Sequence, residues 1–375
     1  MTDTTQFALN LHKTHKGKIT IALRDTPTKE TLAAYYTPGV GAVSSYVAEH
    51  PETLPEYTWT NNLVAVISDG SAVLGLGNIG PEGAMPVMEG KAMLFKHFAN
   101  IDSVPIVLNV HTPDEIVATV KAIAPSFGAI NLEDIAAPAC FEIEERLKAE
   151  LNIPLMHDDQ HATAVVVLAG LINAMKVVGK QLSDCRIVLI GAGAAGVATG
   201  KLLHLYASPT IIAVDSKGAI GSHRTDLTPE KVTLASFNPT SATTLKEALA
   251  NADIVIGISR PAMLNADDIR SMASNPIVFA LSNPVPEIMP EEAQAAGAAV
   301  MATGRSDFPN QVNNALVFPG IFRGALDHHV KQITDEHKIK AAEVLASLVG
   351  TPTADAIIPS LFDERIVPAI AAVIT

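Results

Sequence analysis

From about residue 60 onward, short apolar runs alternate with longer stretches whose apolar positions recur at helical spacing. LVAVIS (63–68), VPIVLNV (104–110), FGAINL (127–132) and IPLMH (153–157) read as buried strands. Helical patterns lie between them, from Pro113 to about Ala124 and from Ala137 to about Leu151. Strands separated by helices in this way predict a parallel sheet covered on both faces. A second series follows: RIVLI (186–190), PTIIAVD (209–215), IVIGIS (254–259), IVFALSNP (277–284) and AAVMATG (298–304). Between the two series, ATAVVVLAGLINAMKVVG (162–179) is apolar on nearly every face, which predicts a buried helix joining the halves. The pattern thus predicts an α/β chain of two domains, residues 1–158 and 159–375. The second is of Rossmann type, and its C-terminal segment, helical to about Val349 and extended over 351–368, packs back at the boundary.

The first 60 residues are rich in turn residues and helix formers, with a sharp break at Tyr35-Tyr36-Thr37-Pro38-Gly39. Apolar residues around Tyr35, Val40, Val43 and Val47 predict a covered surface, for which a symmetric homodimer is the default assembly. The 375 residues suffice for two cores, and a formal charge of −13 argues against a nucleic-acid or anionic-membrane partner. Two cysteines, Cys140 and Cys185, form no disulfide framework and lack metal-type spacing. No apolar signal core opens the chain and no stretch approaches an uncharged membrane span, so the expected location is the cytoplasm.

Two acidic pairs, Glu133-Asp134 and Asp158-Asp159, each close an apolar run ahead of a glycine-rich motif. A single acidic residue at a strand end is usually a cap or a surface charge. Two pairs at buried strand ends call for a cation, because a desolvated carboxylate without one is costly. Oxygen-only ligands suit Mg²⁺ or Mn²⁺ rather than zinc.

Two segments match G-x-G-x-x-G. Gly191-Ala192-Gly193-Ala194-Ala195-Gly196 follows a strand, opens a helix and leads to a second strand that ends in Asp215. In that setting the glycines let backbone amides approach a pyrophosphate at a helix N-terminus, and the acid accepts from ribose hydroxyls. Asp215 favours NAD by repelling a 2′-phosphate, although Ser216, Lys217, His223 and Arg224 are placed to neutralise one. The cofactor expected is NAD or NADP, with a lean to NAD. The other match, Gly75, Gly77 and Gly80, reads as a flexible loop beside the catalytic centre, with Pro81 and Pro86 disrupting any long helix after it.

YYTPGV (35–40), SDGSAVLGLGNIG (68–80), EGKAMLFK (89–96), INLEDI (130–135), HDDQHATA (157–164), GAGAAG (191–196), LSNP (281–284) and NQVNNALVFPG (310–320) follow one another in order, ahead of IIPSLFDERIVP (357–368). This set resembles the malic enzymes, specifically their small bacterial form, over nearly the whole chain. The resemblance implies a malic-enzyme N-terminal domain ahead of the NAD(P)-binding one, and metal-dependent oxidative decarboxylation of L-malate to pyruvate and CO₂ with reduction of NAD(P). It further implies Glu133, Asp134 and Asp159 as ligands of Mg²⁺ or Mn²⁺, Lys91 as general base, Tyr36 as general acid, and Asp158 as the carboxylate assisting the lysine. Asn283 and Asn314 match residues that hold the substrate carboxylate near the nicotinamide. For Lys91 to act as a base near neutral pH its pKa must fall well below the reference value of about 10.4, and burial and a nearby cation both push it down.

Two positions depart from the family pattern. Ala72 stands where the larger malic enzymes carry a malate-gripping arginine, so Lys96 or Arg24 is the expected replacement. Ala162 stands where glycine is expected, and its methyl is expected to crowd the metal or the nicotinamide. Two other readings share the acidic site: a non-redox oxaloacetate decarboxylase, and a catalytically poor relative that holds NAD.

Overall fold

The protein is described by a computed structural model, which covers residues 2–15, 17–73, 75–237 and 240–375. Its first sheet has four strands: β1 Leu63–Ser68, β2 Asp102–Val107, β3 Ala129–Leu132 and β4 Leu155–His157. All run parallel, in the order β2-β1-β3-β4. Parallel pairing sets all the strand C-termini on one edge, so the residues following Ser68, Leu132 and His157 lie side by side. Both acidic pairs therefore meet although 25 residues separate Asp134 from Asp159.

The second sheet has six strands: β5 Arg186–Ile190, β6 Thr210–Asp215, β7 Gly218–Ala219, β8 Ile254–Gly257, β9 Ile277–Ala280 and β10 Val300–Thr303. Their order is β10-β9-β8-β5-β6-β7, and only the short β7, which no apolar run announces, is antiparallel. Chain direction across the sheet reverses at β5, with β6 on one side and β8 on the other. Ligands of such sheets bind in the crevice at that reversal.

The predicted linking helix spans Asp158–Val178. It is long and apolar enough to cross a membrane by length and composition alone, contrary to expectation, but 67% of its apolar window is buried inside the protein. Its side chains belong to one core that also takes Val64, Met88, Phe95 and Met156 from the first half and Phe279, Phe318 and Ile357 from the second. Asn173, fully buried in mid-helix, donates to the carbonyls of Ala346 and Ile357 at 2.8 and 2.9 Å and so ties down the C-terminal segment. That segment, expected to be extended over 351–368, instead runs through turns and bends and enters a short helix, Ile366–Ala371.

The prolines after the first glycine-rich loop do not break the chain. A 20-residue helix runs from Gly80 to Ala99. Pro81 sits in its first turn, where no backbone donor is needed, and Pro86 lies inside. The cost of the missing donor at Pro86 is offset by a continuous buried face of Ala84, Met88, Lys91, Ala92 and Phe95. The N-terminal region forms helices Thr2–His15, Lys29–Tyr35 and Val40–Glu49. Among the described residues from 5 to 59 none is buried, and Phe7, Leu9, Ile21, Leu23 and Tyr35 are exposed apolar groups.

Candidate active site

Lys91 lies on the inner face of helix Gly80–Ala99, one turn before Phe95. The Phe95 ring packs edge-on against Phe318, 4.7 Å between centroids, and Lys91 Nζ stands 4.3 Å from the centroid of the same Phe318 ring. The aliphatic stem is thereby held in the core while the ammonium is aimed at the strand ends. There Nζ donates to Asp158 Oδ2 at 2.7 Å and lies 2.9 Å from Glu133 Oε1. Asn314 donates to the same Asp158 oxygen at 2.5 Å.

Glu133 and Asp134 follow β3 directly. Asn131, buried within that strand, donates to Glu133 Oε2 at 2.9 Å and fixes its direction. Asp134 adopts the left-handed backbone conformation, φ 53°, which Asp tolerates better than most residues. Its amide donates to Asp159 Oδ2 at 2.8 Å, and its carbonyl accepts from Ala72 at 2.9 Å. Asp158 and Asp159 open the first turn of helix Asp158–Val178, where the helix dipole favours negative charge. Carboxylate oxygens of Glu133, Asp134 and Asp159 lie within 4.8 Å of one another.

The electrostatics fit a divalent cation. Four carboxylates, those of Glu133, Asp134, Asp158 and Asp159, share the site with one ammonium. Burial drives the Glu133 carboxyl well above its ordinary value, more than Lys91 pulls it down, and Asp158 moves up for the same reason. Asp158 Oδ1 is buried with no hydrogen-bond partner among the described residues. An all-oxygen, anion-rich donor set of this kind suits Mg²⁺ or Mn²⁺. Lys91 itself departs from the expected lowering. Burial lowers its pKa, but Asp158 and Glu133 at contact distance outweigh that and raise it.

The dinucleotide turn has the shape its sequence predicts. Gly191 has φ +113°, and a Cβ there would lie 2.3 Å from the Ile258 carbonyl; one on Gly196 would lie 2.0 Å from the Gly191 carbonyl. Nothing stands within 4 Å of a Cβ on Gly193, which leaves open the face a pyrophosphate approaches. The turn feeds helix Ala194–Ala207, and Ala194 packs against the core of the first sheet. Asp215 ends β6, where its oxygens accept from Arg224 at 2.6 Å and Lys231 at 2.7 Å. Burial raises its pKa, the two cations more than reverse this, and it settles at about 2. Lys231 lies 16 residues beyond Asp215, brought back by helix Pro229–Phe237, and no local motif marks it.

Asn283 occupies the exposed loop after β9. Its amide nitrogen lies 2.7 Å from where a Cβ on Gly304 would stand, and its carbonyl 2.8 Å from that of Gly75. The first glycine-rich loop therefore touches the loop that carries Asn283. Lys96 and Arg24 do not border the candidate site. Lys96 pairs with Asp102 at 2.9 Å, and Arg24 acts on the same carboxylate. Asp102 starts β2, at the end of the sheet opposite the acidic pairs, because a crossover helix runs back toward the strand N-termini. Ala162 is fully buried in the shared core, so its methyl packs with apolar neighbours rather than crowding the site. Tyr36 is 68% exposed and makes no hydrogen bond to Lys91 or the acidic residues.

Comparison with known proteins agrees with this geometry. Residues 13–148 match the family model for the malic enzyme N-terminal domain, and residues 160–374 that for the malic enzyme NAD binding domain. The chain is 52% identical to the bifunctional malic/malolactic enzyme of Bacillus subtilis, over 97% of this chain and 90% of that one. It is 47% identical to the NADP-dependent malic enzyme of Halomonas elongata, over 94% and 84%. The crystal structure of the NAD-dependent malic enzyme from Thermotoga maritima superimposes with a TM-score of 0.94 at 47% identity, covering 98% of each chain. Motif order, strand-end chemistry and these likenesses agree, and the chain belongs to the malic enzyme family.

Proposed function

We propose that this protein catalyses the metal-dependent oxidative decarboxylation of L-malate to pyruvate and CO₂ with reduction of NAD(P). The observation carrying this reading is Lys91, buried and within 2.9 Å of both Asp158 and Glu133, beside a triad of carboxylates fit for a divalent cation. Residues 1–158 supply Glu133, Asp134 and the base, and residues 159–375 supply Asp159 and hold the dinucleotide.

Glu133, Asp134 and Asp159 would hold a divalent cation, which would supply Lewis-acid chemistry toward the substrate oxygens, and the Gly191 turn would hold NAD(P), which would supply the hydride acceptor. A cation on the triad would offset the carboxylates that raise Lys91, so that its Nζ would be free to take the hydroxyl proton, with Asp158 holding the resulting ammonium in place. Asn314, already anchored on Asp158, and Asn283 offer amide donors to the substrate carboxylate. Tyr36 returns a proton to C3. Its exposure, in an N-terminal region without buried residues, supports a homodimer in which it enters the site of a second copy.

The ribose site accepts NADP as well as NAD. Asp215 and Asp226 face Lys217, Arg224 and Lys231, three cations against two anions. With both Asp215 oxygens engaged, its repulsion of a 2′-phosphate is cancelled, and this replaces the lean to NAD. The deciding experiment follows NAD(P)H formation from malate with Mn²⁺, beside oxaloacetate loss without dinucleotide. Malate-dependent reduction is expected with either dinucleotide. Oxaloacetate loss with no reduction would identify a lyase instead, and failure with NADP alone would return the preference to NAD.

A further inference from the structure

Glu287 is a carboxylate that the reaction above does not use. It is fully buried, and among the described residues no lysine, arginine or histidine pairs with it. One oxygen accepts from the Ser259 amide at 2.9 Å and the other from the Ser282 amide at 3.0 Å. Its backbone carbonyl accepts from Leu264 at 3.0 Å. Burial pushes the carboxyl up, and the two amides work against that.

Each amide belongs to a loop at the cofactor crevice. Ser259 follows β8, and the Ile258–Ser259 backbone closes over Gly191, where only a glycine fits. Ser282 follows β9 and immediately precedes Asn283, which begins an exposed stretch of three residues. The Glu287 carboxylate ties the two loops together just beyond the last sheet bond, from Leu281 to Gly257 at 2.9 Å.

We infer that Glu287 is a positioning residue: by taking one backbone N–H from each loop, it fixes Asn283 relative to the Gly191 turn and so sets the alignment of substrate and nicotinamide for hydride transfer. The inference rests on the malate-oxidising reading. A small misplacement at this point is expensive because hydride transfer tolerates little error in approach; a shift of about 1 Å can cost on the order of a hundredfold in rate.

Two variants test it. Glu287→Gln turns one acceptor into a donor that opposes a backbone N–H. Gly257→Ala leaves the carboxylate chemically intact but sets a Cβ 2.5 Å from Glu287 Cδ, forcing it to move. In both, kcat for malate oxidation should fall about tenfold or more, and the isotope effect with C2-deuterated malate should rise. The kcat for oxaloacetate decarboxylation, which transfers no hydride, should fall much less than that for malate oxidation. NADH binding, followed by nucleotide fluorescence without malate or metal, should weaken several-fold. Unchanged isotope effect and NADH affinity would overturn the inference, as would an equal fall in both reactions or loss of the cooperative melt in both variants. Should wild type bind NADH yet oxidise no malate, the functional reading falls, while the NADH affinities still decide whether Glu287 holds the crevice.

Discussion

Lys91 Nζ lies 2.7 Å from Asp158 Oδ2, joining two buried residues 67 positions apart. The pair holds the ammonium against the acidic strand ends and gives each charge a partner. Lys91→Ala should abolish malate oxidation, a loss of about two to four decades for a general base, while NADH still binds. It should also lower stability by about 3–5 kcal/mol, because Asp158 and Glu133 are left as adjacent buried anions. Turnover within a few-fold of wild type would remove Lys91 from the mechanism.

Asp134→Ala should weaken Mg²⁺ or Mn²⁺ binding, measured by calorimetry, because one anionic ligand leaves an oxygen-only site. Chelation should eliminate wild-type activity. Saturating Mn²⁺, at about a hundred times its dissociation constant, should stabilise the wild type by about 2.7 kcal/mol in a melting experiment. A melt unmoved by metal would sink the ligand assignment.

Tyr36 and Lys91 can be assigned to the same or different subunits by mixing inactive variants. Tyr36→Phe and Lys91→Ala proteins, each inactive alone, should regain up to about a quarter of wild-type activity when refolded together, since a shared-site dimer recovers one intact site in half of its molecules. Recovery at zero would place both residues in one chain.

Asp215 provides a pH signature. Its folded pKa of about 2 lies below the unfolded value of 3.8, so its contribution is fully present above pH 3.8 and is lost as pH falls through about 2. Arg224→Ala removes one of the two cations that lower it. The variant should show a flatter fall in melting temperature between about pH 4 and 2 and a KM for NADP raised more than that for NAD. Parallel acid limbs would show that Arg224 does not control this carboxylate.

Ala162→Gly should destabilise the protein by about 1 kcal/mol, from backbone entropy within a helix and loss of a buried methyl. Neither kcat nor the KM for malate should improve. An improvement in either would restore the view that the methyl crowds the site.

Much of this was legible in the chain. Parallel strands announce themselves as apolar runs, and residues at their ends cluster because the topology demands it; Glu133, Asp134, Asp158 and Asp159 could therefore be paired from sequence. Lys91 was legible only through its surrounding motif, since an isolated lysine on a helix carries no mark of burial. Glu287, Lys231 and Asn131 escaped notice because their roles depend on which loops and strands fold over them. The helix after Gly80 departs from the expectation because its apolar face offsets the cost of Pro86, and that face counts only once packed. Lys96 does not replace the missing arginine because the helix carries it toward the far end of the sheet, where it pairs with Asp102.

Helix Asp158–Val178 starts at the acidic site and ends just before the dinucleotide-binding sheet, with no break between. Its first turn carries two of the reactive carboxylates, and its remaining turns are sunk in a core drawn from both halves. The protein thus has no neutral seam at which one half could be exchanged for another. A chimaera joined at residue 159 would import a foreign version of the Asp159 carboxylate, which the Asp134 amide grips, together with its nucleotide-binding half, so the acidic cluster and nucleotide recognition must be inherited as one piece.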